Sequence, residues 1–120
     1  MNRWVLLEHK IIDNNIFNIH YDFLLEDKAE CFTWKLQKIP VLDKGFVEIS
    51  KQSNHRLVWL SRVDYQLSNN RGLVKRIDNG TFSYIFNNHQ SQELRILLNG
   101  KLLKGLLTIG KNFCQLTKTN

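Results

Sequence analysis

His9, His20 and Asp22 are the residues in this chain whose types and spacing best suit a metal ion. On a β-strand, residues two apart point to the same face. His20 and Asp22 would then aim an imidazole and a carboxylate into one small volume. The stretch from His9 to His20 reads as a hairpin turning at Asn14-Asn15, because asparagine tolerates the positive φ of a tight turn. A two-residue loop there pairs Asp13 with Ile16, Ile12 with Phe17, and so on back to His9 opposite His20. Directly opposed residues share a face, with Cβ atoms roughly 4.5–5.5 Å apart. Two histidines and one carboxylate on one patch suit a divalent transition metal such as Mn²⁺ or Zn²⁺. The same spacing also describes a solvated His and Asp on an ordinary strand, and a slip of register would part them.

The elements that must position these residues are short apolar runs separated by turn residues. Trp4 to His9 reads as a first strand and Ile16 to Leu25 as a second. Glu26-Asp27-Lys28-Ala29 makes a turn, and Glu30 to Gln37 a third strand. In that strand Phe32, Trp34 and Leu36 alternate with Thr33, Lys35 and Gln37. Tyr21, Phe23 and Leu25 are expected to join Phe32 and Trp34 in the core. His20 and Asp22 then face the more polar side, beside Thr33 and Lys35. Phe46 to Ser50 and Arg56 to Leu60 are weaker strands, and Ser61 to Asn70 reads as a loop or one helical turn. Leu73 to Ile77, Asp78-Asn79-Gly80 and Thr81 to Phe86 read as a hairpin. Asn87 to Ser91 is a polar loop holding an exposed His89. Glu93 to Leu98 and Lys101 to Ile109 form another hairpin around Asn99-Gly100, and Phe113 to Leu116 closes the set. Eight to ten hairpin-connected strands predict an all-β fold, a small closed or nearly closed antiparallel barrel of about eight strands with little helix.

The chain has 120 residues, enough for a single domain spanning residues 1–120 with one modest core. Hydrophobic residues make up 42%, which argues for a packed fold over disorder. No apolar run approaches a transmembrane length, so no membrane partner is expected. Met1-Asn2-Arg3-Trp4 does not begin a secretory signal, and a cytoplasmic location is the expectation. Cys31 and Cys114 lack metal-ligand spacing and are expected to be buried free thiols. The net charge of +6 favours polyanionic partners, nucleic acid first among them, although the lysines and arginines are spread along the chain.

Six motifs stand in order: Glu8-His9; His20-Tyr21-Asp22-Phe23-Leu24-Leu25-Glu26; Trp34-Lys35-Leu36-Gln37-Lys38-Ile39-Pro40; Asn54-His55-Arg56-Leu57; Asp78-Asn79-Gly80-Thr81; and Leu98-Asn99-Gly100-Lys101-Leu102-Leu103-Lys104-Gly105. In this order they resemble the 3′-phosphoesterase domain of bacterial ATP-dependent DNA ligase D and its stand-alone relatives. That family carries H-x5-H-Y-D-[FL]-R-L-E, S-W-A-V-P-K-G-P, D-H-P-L-x-Y, W-D-x-G-T and a late L-x-G-x-x-L-K-G. The resemblance runs from about Trp4 to Phe113. It implies a β-barrel that uses a divalent metal, typically Mn²⁺, to remove a 3′-phosphate or a 3′-ribonucleotide from DNA during repair. It further implies His9, His20 and Asp22 as the metal ligands, His55 as the phosphate-addressing histidine and Lys38 as a phosphate contact. The implied partners are DNA 3′ ends and a repair ligase or polymerase.

The departures fall on the substrate side. Leu24 stands where the family has an arginine, so a bidentate phosphate clamp is lost. Trp59 replaces a tyrosine; it could stack on a base or sit in a core. Trp4 and Trp34 are expected in the core. Val63 to Gly72 keeps only the last glycine of a Gly-rich run, and the arginine expected near Gly45 to Val47 is missing. The hairpin between His9 and His20 is longer by about one residue pair on each arm. Arg71, Lys75 and Arg76 could supply replacement phosphate contacts or merely a charged face. Two other readings stay open: a barrel that kept its fold and lost its chemistry, serving as a nucleic-acid- or partner-binding module, and a metal enzyme acting on a smaller phosphoester.

Overall fold

Alternating apolar residues bury one face of a strand, and in this chain eight strands do so around a ring. The computed structural model describes residues 2–67, 72–88, 90 and 92–119. Its strands are β1 (Arg3–Asp13), β2 (Ile16–Asp27), β3 (Glu30–Leu36), β4 (Phe46–Arg56), β5 (Asp64–Gln66), β6 (Leu73–Asn88), β7 (Glu93–Asn99), β8 (Lys104–Ile109) and β9 (Phe113–Thr117). A short 3₁₀ helix, Leu57–Leu60, follows β4. Hydrogen bonding runs β1-β2-β3-β4-β9-β8-β7-β6, and β6 pairs back onto β1, closing a ring of eight antiparallel strands. β5 adds to the free side of β6. The expected all-β, nearly closed antiparallel barrel with little helix is what the chain adopts.

Inward-facing side chains fill the ring. Trp4, Leu6, Phe23, Leu25, Trp34 and Leu36 meet Ile96, Leu98, Leu107 and Leu116 from the opposite wall. Trp4 and Trp34 therefore lie in the core, as expected. A second, smaller core lies on the outer face of the first strands. There Val5, Leu7, Leu24, Cys31 and Val74 are covered by Leu60, with Leu57, Trp59 and Leu67 packed against them. The side of β2 and β3 expected to be polar is thus apolar under this cover and polar only beyond it.

Three expected elements differ. Arg56 to Leu60 is not a strand: Arg56 ends β4 and the next four residues form the 3₁₀ turn that carries Leu60 onto the second core. Leu73 to Phe86 is not a hairpin either. Asp78-Asn79-Gly80 lies inside one strand of 16 residues. Tertiary pairing overrides the local turn signal: Asp78, Asn79, Gly80 and Thr81 pair with β1, and β7 joins from Thr81 onward. A Cβ at Gly80 would collide with the carbonyl oxygen of Asn99, so glycine serves a close strand approach there. The 4% exposed Asp78 carboxylate accepts backbone N–H bonds from Asn79, Lys101, Leu102 and Leu103 at 2.8–3.2 Å. It caps the β7–β8 loop instead of making a turn of its own. Within Ser61 to Asn70 the described part contains β5; Ser68, Asn69, Asn70, Arg71, His89 and Ser91 lie outside the described residues.

Candidate metal centre

The register of β1 and β2 positions the candidate ligands. The two central turn residues, Asn14 and Asn15, have φ of 50° and 63°, the left-handed pair that a two-residue hairpin demands. Counting back from Asp13↔Ile16 gives His9↔His20 and Leu7↔Asp22. The expected pairing is therefore observed residue for residue. One donor atom from each of His9, His20 and Asp22 lies within 4.8 Å of the others. His20 Nε2 is 3.3 Å from an Asp22 oxygen, and each of these side chains is 13% exposed. The imidazoles of His9 and His20 meet edge to face, 4.7 Å between centroids.

This donor set fits a divalent ion. Metal–ligand bonds of roughly 2.0–2.2 Å set donor atoms roughly 3–3.5 Å apart, and the His20–Asp22 pair already has that spacing. Two imidazoles and one carboxylate leave coordination positions for water or substrate. The barrel wall holds all three from rigid strands.

Neighbouring rows of the sheet supply the rest. Lys35 is directly opposite Asp22, and Thr33 is opposite Leu24. Thr33 is thus the diagonal neighbour of Asp22, a separation of roughly 7–8 Å. His55 hangs on Thr33, its Nδ1 lying 3.0 Å from Thr33 Oγ1 and 3.2 Å from the Ser53 carbonyl. A carbonyl only accepts, so Nδ1 carries the hydrogen and Nε2 is the ring atom left for a substrate. The sheet brings His55 to the same outer face as the three candidate ligands. Lys38 lies on the exposed bend after β3, past the last β2–β3 pair at Tyr21↔Leu36. The lysine that register places beside the carboxylate is Lys35.

The far side of the site is walled by the segment between β4 and β6. Tyr65 pairs with Val74, which pairs with His9, so the three share one row and one face. Arg62 lies against a pair of rings in mutual contact, 4.4 Å from the Trp59 centroid and 3.8 Å from that of Tyr65. Trp59 also meets His55 edge on at 6.3 Å. Arg76 pairs with Leu7, whose other neighbour is Asp22. Its Nη2 donates to the Leu60 carbonyl at 3.2 Å, while among the described residues its buried Nε has no partner. Arg62 and Tyr65 escaped sequence reasoning. The three-residue spacing of Trp59, Arg62 and Tyr65 is their only trace there.

Leu24, at the position where an arginine was anticipated, is completely buried in the second core. No protein-family model matches the chain, and no curated protein matches it.

Proposed function

We propose that the protein is a metal-dependent phosphoesterase acting on the 3′ ends of DNA, removing a 3′-phosphate or 3′-ribonucleotide in repair. The observation that carries this reading is the convergence of His9, His20 and Asp22 within 4.8 Å on a wall that also bears Lys35 and His55. His9 and His20 would hold the ion through ring nitrogens and Asp22 through a carboxylate oxygen, with Mn²⁺ the first candidate and Zn²⁺ the second. A divalent ion bound there supplies charge to polarise the phosphoryl oxygens and lowers the pKa of a bound water. Lys35, beside Asp22, meets a phosphoryl oxygen with an ammonium. His55 holds the phosphate through Nε2 when its ring is protonated and takes a proton there when it is neutral. The net charge of +6 favours approach of a polyanionic strand. A repair ligase or polymerase in the cytoplasm would use the 3′-hydroxyl produced.

The test is direct. Purified protein with Mn²⁺ should convert a 3′-phosphate primer–template to a 3′-hydroxyl, and His20→Ala should abolish the conversion. Activity that survives both that change and chelation defeats the mechanism. The burial of Leu24 favours a second reading, a barrel that binds nucleic acid or a partner without turnover. Salt-sensitive DNA binding with no product under any divalent metal would support it.

A further inference from the structure

A pocket opens at the end of the barrel away from the β1–β2 hairpin. Alternation of strand direction puts the β6–β7 and β8–β9 connections at that end. The mouth between them holds a half-open pocket of about 210 Å³. Phe32, Trp34 and Tyr84 line it, together with Asn87 and Gln92. An apolar cavity of ~150 Å³ accommodates benzene, and pockets for drug-sized ligands begin near ~300 Å³. The space therefore suits one planar ring system of one or two fused rings.

Its charge selects further. The Lys51 ammonium stands 5.4 Å from the Phe32 centroid and 5.2 Å from that of Trp34. It is held there by the Gln52 carbonyl at 2.9 Å and Asn54 Oδ1 at 3.4 Å. The aromatic faces that would attract a cationic ligand are already occupied by the chain's own cation. Lys111 adds a second positive charge at the lining, while the Glu93 carboxylate is paired with Arg95 at 2.9 Å. From this geometry we infer that the barrel mouth binds a planar aromatic ring carrying an anionic group, the ring against Tyr84 and Leu94 and the anion at Lys51, over Phe32 and Trp34, and at Lys111. Two sources share that chemistry: a nucleotide, with base inside and phosphate at the rim, and a free aromatic carboxylate. The site lies on the inner wall, whereas His9, His20 and Asp22 lie on the outer one, so it stands independently of the phosphoesterase reading.

Backbone amide NMR on the full chain tests this with four probes: indole-3-acetate, tryptamine, cyclohexaneacetate and dAMP. Saturable shifts at Asn87, Leu94 and Gly110 are expected with an aromatic anion. Tryptamine and cyclohexaneacetate should bind at least tenfold more weakly, the first for its charge and the second for its lack of a ring face. Lys51→Met and, separately, Tyr84→Leu should each weaken binding about tenfold while leaving the fold's amide spectrum in place. Tighter binding of dAMP than of indole-3-acetate identifies the source as a nucleotide, and the reverse order a free carboxylate. Shifts that fail to saturate, that fall elsewhere, that are as strong with tryptamine, or that persist unchanged in both variants overturn the proposal.

Discussion

His9 stands directly opposite His20 across the β1–β2 ladder, their rings tilted 66° and 4.7 Å apart. That pairing is one step of a register that runs the length of both strands. It is set by the Asn14-Asn15 turn, since strand pairing repeats with a period of two and one fixed turn fixes every pair behind it. Asp22 then joins the pair by strand alternation alone. A cluster defined by backbone register requires little rearrangement to accept an ion.

That preorganisation predicts a metal-dependent rise in stability. A ligand that binds only the folded state stabilises by about 2.7 kcal/mol at a hundredfold excess over its Kd. Thermal unfolding with saturating Mn²⁺ or Zn²⁺ should therefore show a Tm raised by several degrees. His9→Ala, His20→Ala and Asp22→Asn should each remove most of the shift. An equal shift in His20→Ala would place the metal elsewhere.

Lys35 and Lys38 make opposing forecasts. Lys35 is opposite Asp22, and Lys38 lies on a bend beyond the paired strand. A hydrogen bond to a charged group contributes about 1.5–3 kcal/mol. Lys35→Met should therefore slow 3′-phosphate removal roughly ten- to a hundredfold, and Lys38→Met should leave it within about threefold. Arg76→Met should fall with Lys35→Met if its Nε, which has no partner among the described residues, serves the phosphate. Single-turnover rates at saturating substrate decide among the three variants.

The parts of this molecule governed by near neighbours were readable from the chain. The Asn14-Asn15 register, the pairing of His9 with His20 and the neighbourhood of Thr33 and Lys35 follow from alternation and one turn. The exceptions share one cause, long-range packing. Asp78-Asn79-Gly80 carries strong turn chemistry but is held in one continuous strand by pairing with β1, just before β7 joins at Thr81. Leu57 to Tyr65 carries too weak a pattern to show that it folds over an apolar outer face, and with it Arg62 and Tyr65 were lost. Lys38 is named by a motif and sits on an exposed bend, whereas Lys35 is placed by register.

Restoring an arginine at position 24 should fail as a gain of function. The Leu24 side chain is fully buried against Leu7, Cys31 and Leu60. Leu24→Ala should cost about 2–5 kcal/mol through the cavity it leaves. Leu24→Arg should be worse, because it places an unpaired cation in an apolar layer. Chemical denaturation of both variants checks the order, and a stable, more active Leu24→Arg would show that this position belongs to the substrate face.

Asp78 is a structural carboxylate whose loss should be felt at the β7–β8 loop. Its two oxygens accept four backbone N–H bonds, three of them from Lys101, Leu102 and Leu103. Asp78→Ala leaves those donors without their acceptor, at about 1–3 kcal/mol for each that stays buried. The expected result is a total loss of at least about 3 kcal/mol, with amide exchange accelerated first at Leu102 and Leu103. Exchange unchanged at those two amides would contradict this role.

The two thiols set an alkaline limit on stability. Burial pushes Cys31 up to about 11, with Glu26 adding to the rise, and burial pushes Cys114 up to about 12. In the unfolded chain both titrate near the ordinary 9.0. The folded state therefore holds its protons to higher pH than the unfolded state does. The stability contributed is fully present below about pH 9 and is lost progressively as pH rises toward the folded values. Cys114→Ala should flatten the decline in Tm between pH 9 and 11, at the cost of a small cavity at neutral pH. In the native protein at pH 8 neither thiol should react with iodoacetamide on the timescale of a free cysteine. Rapid native-state alkylation of Cys114, which is 2% exposed, would mean that β9 opens far more readily than its packing implies.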